Sequence, residues 1–178
     1  MTPPRATLAE IGAAIRNVPD FPKPGFQFKD ITPVLADPRR FAGAVDWLTE
    51  PYAPGTVDAV AGIEARGFIF AAAGALQLGA GFVPVRKQGR LPWQTIEESY
   101  ELEYGANTVA IHTDAVRPGA RVLLLDDLLA TGGTALAAAT LLRRLGAEIL
   151  EVAFLIELGF LRGRDRLQGL RTRSLICY

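Results

Sequence analysis

The chain is poor in the residues that build cross-links and metal clusters. It holds one cysteine, Cys177, and one histidine, His112. A lone thiol cannot pair within the chain, and a Cys/His zinc site cannot be assembled, so a reducing cytoplasm is the expected setting. There is no excess of charge of either sign. Lys plus Arg number 19 and so do Asp plus Glu, for a formal net charge of 0. The basic surplus with which nucleic-acid binders attract phosphate backbones is therefore missing, and any phosphate chemistry must be local. The first residues, MTPPRATLAEIGAAIRNVPD, have no basic region leading into an apolar core, so they do not read as a signal peptide. The longest stretch poor in polar side chains, Gly67 to Val85, contains only Gln77 as a polar residue. Its Ala and Gly gain little from lipid, Pro84 interrupts it, and Arg66, Arg86 and Lys87 bracket it. A buried helix running into a buried strand is expected, and no membrane contact.

What is present is an ordinary globular composition. With 178 residues, 49% hydrophobic and 21% charged, the chain reads as a single domain able to close one core. Spacings of three and four predict a helix over residues 7–17, and the prolines and glycine of Val18 to Gly25 predict an irregular loop. A helix follows over 41–50, a strand over 57–63, a helix over 68–78, and strands over 81–85 and 108–112. Arg121 to Asp127 is the clearest buried strand, Thr134 to Leu145 the clearest helix, capped by Gly146, and 149–156 is a further strand. Strands that are apolar throughout and alternate with helices indicate an α/β fold, with a mainly parallel central sheet and helices on both faces.

The most informative segment runs from Val122 to Thr134. An apolar strand delivers Asp126 and Asp127 at its carboxyl end, Leu128, Leu129 and Ala130 follow, and Thr131-Gly132-Gly133-Thr134 leads straight into a helix. Ligands of open α/β sheets bind at such strand ends. The glycines admit close approach, the threonines offer hydroxyls, and the helix start offers free N–H groups and a positive dipole end, so an anion belongs there. No lysine follows the glycines and GxGxxG is absent, which excludes an ATP-type loop and a dinucleotide fingerprint. Carboxylates accept hydrogen bonds from sugar hydroxyls, so a ribose bearing its own 5-phosphate suits both halves of the site.

These residues resemble the phosphoribosyl-pyrophosphate signature of type I phosphoribosyltransferases. Flanking segments resemble the adenine-specific members: Phe21 to Pro33 their base-side loop, Ala61 to Phe68 their pyrophosphate loop, and Leu91 to Gly105 their catalytic loop. The resemblance implies transfer of ribose 5-phosphate from phosphoribosyl pyrophosphate to N9 of adenine, giving AMP and pyrophosphate. It implies Mg2+ bound mainly through substrate and water, with no dense protein ligand set, and a homodimer. It also implies a small base-side hood from the N-terminal segment, with residues 1–35 supplying the helix and base-side loop and 88–107 a mobile catalytic loop. By position in the motifs, Arg66 and Lys87 would meet the departing pyrophosphate. Asp126 and Asp127 would hold the ribose and stabilise its developing positive charge. Ala130, Thr131, Gly132, Gly133 and Thr134 would hold the 5-phosphate. Phe26 would stack on the base with Leu128 or Leu129 opposite, and Glu103, beside Tyr104, would handle the purine proton. Glu97, Glu98 and Glu101 are expected to be solvated, His112 structural, and the arginines 162, 164, 166, 171 and 173 a solvated face. The alternatives are a phosphoribosyltransferase for hypoxanthine, xanthine or orotate, and a non-catalytic regulator that senses phosphoribosyl pyrophosphate.

Overall fold

The computed structural model describes residues 5–101 and 106–178. The chain divides into two compact units, Met1–Trp47 and Leu48–Tyr178. In the first, helix α1 (Leu8–Ala14) opens on a capping box: the Thr7 hydroxyl accepts from the Glu10 N–H at 3.2 Å, and Glu10 accepts from the Thr7 N–H at 2.8 Å. Arg39 lies 2.8 Å from the same carboxylate. Its hydrogen bond, ahead of those from Thr7, lowers the Glu10 pKa to about 2. The helix predicted to residue 17 stops at Ala14, because Ile15 turns extended and Arg16–Pro19 (β1) pairs antiparallel with Gln27–Asp30 (β2). Irregular structure expected from residue 18 onward therefore begins only after Pro19. A two-stranded ribbon consists of edges, where a proline removes no interior ladder bond. Short α2 (Thr32–Leu35) and then α3 (Pro38–Thr49) follow.

The second unit carries strands β3 (Ala59–Ile63), β4 (Gly81–Lys87), β5 (Thr95–Glu101), β6 (Ala106–His112), β7 (Arg121–Leu129), β8 (Glu148–Glu157) and β9 (Thr172–Cys177). They form a 7-stranded sheet in the order β5-β6-β4-β3-β7-β8-β9. From β4 to β9 every neighbouring pair is parallel, while β6 and β5 add an antiparallel edge. Val122, Leu123, Leu124 and Leu125 of β7 are each 0% exposed. Such burial contributes roughly 1.5–3 kcal/mol per side chain and needs cover on both faces. Helices α4 (Arg66–Leu78) and α5 (Gly133–Arg144) provide it. Ala61, Ile63, Val122 and Leu124 pack in one cluster with Ala138 and Leu142 of α5. Alternation turns Gly62 and Leu125 to the other face, against Ala71 and Gly74 of α4. The fold is thus α/β as expected. The stretch from Gly67 to Val85 is the predicted helix and strand, and no described helix is long and apolar enough to cross a membrane.

A further expectation changes. Three of the C-terminal arginines are not simply a solvated face: the parallel pairing of β9 with β8 brings Arg173 and the adjoining Arg171 over one buried carboxylate, and the 3-10 segment Gly163–Leu167 brings Arg164 to another. Arg173 and Arg171 lie 2.8 and 3.1 Å from Glu151, which is 1% exposed, and Arg164 lies 2.7 Å from Glu157. Strand β5, within segment 88–107, packs Ile96 and Tyr100 against the core.

Candidate active site

Parallel register places three strand ends side by side. Ile63 stands beside Val85, and Gly62 beside both Pro84 and Leu125. The chain therefore presents Glu64-Ala65-Arg66 after β3, Arg86-Lys87 at the end of β4 and Asp126-Asp127 on β7 at one carboxyl edge of the sheet. This is where ligands of open α/β sheets bind. The Arg66 guanidinium stands 2.8 Å from Asp127 Oδ2. Gly67 faces Asp126: a Cβ built there would lie 2.5 Å from Asp126 Oδ1 and 3.2 Å from the Leu125 carbonyl oxygen, so the helix start and the acid pair fit only because this residue has no side chain.

Asp127 is 5% exposed, and its N–H donates to Asp126 Oδ1 at 2.9 Å. Burial, then the negative charge of Asp127, pushes the Asp126 pKa well above the ordinary carboxylate range. Burial also raises Asp127, with Arg66 opposing. Asp127 Oδ2 keeps no directed hydrogen bond among the described residues despite its ion pair. A buried acceptor left in that state is primed to take a donor from a ligand.

The cup lies directly beyond. Asp126, Leu128, Leu129, Ala130, Thr131, Gly132, Thr134 and Ala135 line a cleft of about 80 Å³. Gly132, at φ 81°, is the N-cap of α5, and no side chain caps the helix. Its first-turn N–H groups are therefore left for an anion. Gly133 is the first helical residue rather than a loop residue, one position earlier than predicted. Leu129 is 1% exposed in the core, whereas Leu128 is half-buried, so of the two only Leu128 has side-chain surface to offer a base.

Lys87 sits exposed at the end of β4. Its neighbour Arg86 is committed elsewhere, donating to Glu64 at 3.0 Å and to the Arg90 carbonyl at 2.7 Å. Glu64 also accepts from the Lys87 N–H at 3.1 Å, and these bonds, Arg86's first, lower its pKa. In the first unit, Phe26 is 55% exposed, while Phe21 and Phe28 pack edge-to-face at 5.1 Å. Glu103 and Tyr104 lie outside the described residues. On the strand leading to them, Tyr100 turns inward against Gly133, Glu98 meets Arg144 at 3.3 Å, and Glu97 accepts from Gln88 at 2.6 Å. His112 is half-buried on β6.

The Phosphoribosyl transferase domain family matches residues 29–171. An adenine phosphoribosyltransferase of Acidothermus cellulolyticus is 57% identical over 174 residues, 97% of this chain and 98% of that protein. The chain belongs to the adenine phosphoribosyltransferase family. The crystal structure of a Rhodothermus marinus adenine phosphoribosyltransferase superposes with a TM-score of 0.92 at 51% identity, covering 96% of this chain and 98% of that one. A Saccharomyces cerevisiae adenine phosphoribosyltransferase, solved with adenine and an imino-altritol bisphosphate, is 38% identical with a TM-score of 0.89, over 94% and 97% of the chains. Within this adenine phosphoribosyltransferase fold, the residue that sequence reading passed over is Glu64, which fixes the backbone of Lys87 and the side chain of Arg86. Its signal was available: an acid in a Glu-Ala-Arg-Gly turn, one strand away from an Arg-Lys pair.

Proposed function

We propose that the chain transfers ribose 5-phosphate from phosphoribosyl pyrophosphate to N9 of adenine, releasing pyrophosphate and AMP in purine salvage. The observation that carries this reading is the strand-borne pair Asp126-Asp127 opening onto an uncapped Thr-Gly-Gly-Thr helix start, in a chain 57% identical to an adenine phosphoribosyltransferase. Thr131, Gly132, Gly133, Thr134 and Ala130 hold the 5-phosphate. Asp126 and Asp127 receive the ribose hydroxyls and face the sugar as C1 becomes cation-like. Arg66 and Lys87 draw off the charge of the departing pyrophosphate. Phe26 stacks on the base, while Glu103, with Tyr104 beside it, handles the purine proton on the catalytic loop 88–107.

The acid pair also fits magnesium. Asp127 Oδ2 is a buried acceptor without a directed donor, and two adjacent carboxylates tolerate each other better beside a dication. No group of three metal-ligating side chains occurs among the described residues. Asp126 and Asp127 would thus hold the ion through its water, with substrate oxygens as the other ligands. When bound, the cation supplies charge that stabilises the leaving pyrophosphate. A homodimer in the cytoplasm completes the proposal. It is supported by the single thiol and by the apolar face of α4, where Ile69 is 37% and Leu76 86% exposed.

The test is turnover with phosphoribosyl pyrophosphate, Mg2+ and each base in turn. Adenine is expected to yield AMP and pyrophosphate far faster than hypoxanthine, xanthine, guanine or orotate, and a chelator to abolish the rate. Equal turnover of a 6-oxopurine would overturn the adenine assignment. Pyrophosphate release with no base would overturn the transfer.

A further inference from the structure

Gly163 lies beyond every motif used to recognise the site, in a short 3-10 helix (Gly163–Leu167) between β8 and β9. It is nevertheless buried against the phosphate cup. A Cβ built on Gly163 would overlap the carbonyl oxygen of Ala130 and stand 3.0 Å from both Gly132 N and Leu129 Cδ1. The contact is reciprocal, since a Cβ on Gly132 would overlap the carbonyl oxygen of Gly163 and lie 3.4 Å from its Cα. Two backbones therefore meet with no side chain between them. The atoms in the way are mostly main chain, so no change of rotamer could make room for a methyl group.

The outer partner in this contact is firmly held. Arg164 donates to Glu157 at 2.9 and 2.7 Å and to the Thr172 carbonyl at 2.9 Å, which ties the segment to β8 and β9. Leu167, at its other end, is 2% exposed in the core. The inner partner is a glycine turn whose N-cap has no side-chain hydrogen bond. When the two are forced apart, the turn is the one that yields.

We propose that Gly163 is a positioning residue for the phosphate loop. Its bare backbone, anchored through Arg164 to Glu157, sets where Ala130 to Gly132 lie, and with them the aim of the α5 N–H groups at the substrate's 5-phosphate. The inference rests on the assignment of the cup to that phosphate. Hydrogen bonds to an anion depend steeply on angle, so displacing the turn by a fraction of an ångström weakens several at once.

The experiment compares the parent with Gly163→Ala, Gly132→Val and Gly169→Ala, measuring AMP affinity by calorimetry, steady-state KM for phosphoribosyl pyrophosphate, kcat and Tm. Gly169 has φ +80° and no atom within 4 Å of a built Cβ, so its substitution strains the same C-terminal segment without touching the cup. Gly169→Ala should lower Tm and leave AMP affinity unchanged. Gly163→Ala should raise the AMP Kd and the KM by about 10-fold or more while kcat stays within about 3-fold, the pattern of binding lost equally from ground and transition states. If Gly132→Val loses AMP and Gly163→Ala does not, the proposal falls and the cup stands. If neither loses AMP, the cup assignment itself is wrong. Hydrogen exchange on the parent gives a second reading should Gly163→Ala fail to fold. AMP should slow exchange across 163–167 as well as 130–134, although no residue of 163–167 lines the cleft. Protection confined to 130–134 would overturn the proposal.

Discussion

Arg66 and Asp127 come from different strand ends and meet at 2.8 Å, so the group read as a pyrophosphate ligand also neutralises one member of the acid pair. In the proposed reaction, binding of substrate would redistribute this charge: the guanidinium would turn toward phosphate oxygens as the carboxylates gained sugar hydroxyls and a cation. Arg66→Gln should therefore lower kcat/KM by about 100-fold or more. It should also destabilise the fold by about 1–3 kcal/mol at pH 7, less than a fully buried pair would cost because Arg66 is 32% exposed. Losing Arg66 raises the folded-state pKa of Asp127 further. Its stability cost should then shrink as pH falls and Asp127 takes a proton, which denaturant melts at pH 7 and pH 5 would resolve. A cost independent of pH would mean that the pair is not electrostatically coupled.

The acid pair makes a second pH prediction. Both aspartates have folded-state pKa values raised above the unfolded value, chiefly by burial. The folded form therefore binds more protons between the two values, and stability falls as pH rises through that window. Asp126→Asn should raise Tm at pH 7, with the gain vanishing below about pH 4, where the unfolded carboxyl is also protonated. Equal Tm for parent and variant across pH 4–8 would show that Asp126 bears no such strain. Glu64 and Glu157 have lowered pKa values, so their contribution has the opposite sign and is lost as pH falls.

Glu64 holds the Lys87 backbone from a separate turn, so Glu64→Gln should act partly through Lys87. Lys87→Ala is expected to raise the KM for phosphoribosyl pyrophosphate with little change in Tm. Glu64→Gln should raise KM and lower Tm together. In the double variant the KM effects should fall short of additive, as for residues that act on one ligand group through a shared contact. Full additivity would separate Glu64 from the site.

The main elements were legible from local signals. The apolar run of β7, the Thr-Gly-Gly-Thr turn and the Gly146 cap state their roles within a dozen residues, and Gly146 adopts φ +81° with its N–H on the Arg143 carbonyl at 2.9 Å. What escaped depends on partners far along the chain. Strand β9 is half-buried and arginine-bearing, so its pattern resembles a solvated edge until Glu151 and Glu157 of β8 are placed beneath it. Ribbon β1–β2 escaped because prolines argue against strands in general, though not against edges. Glu64 and Gly163 escaped for the same reason as β9: each acts on a residue that only the fold brings near.

The proposed catalytic loop, 88–107, gives a contrast within one segment. Glu103→Ala should reduce kcat by about 10² to 10⁴, the usual worth of a proton-transfer group, with little effect on AMP binding. Glu97→Ala on the same loop removes only a hydrogen bond from Gln88 and should be close to neutral. Steady-state kinetics beside AMP calorimetry would check both. Parental kcat in Glu103→Ala would remove that residue from the mechanism.

The proposed role of Asp126 and Asp127 is to act on charge formed during the reaction rather than on ligand binding alone. The most direct measurement is kcat for AMP synthesis beside the AMP dissociation constant in the double variant Asp126→Asn, Asp127→Asn. The side chains remain nearly isosteric, so the cup keeps its shape while losing its negative charge. The predicted result is a fall in kcat of about 100-fold or more with AMP affinity changed much less. Turnover within a few-fold of the parent, in a folded double variant, would contradict the catalytic role of the pair and leave it a structural feature of the strand end.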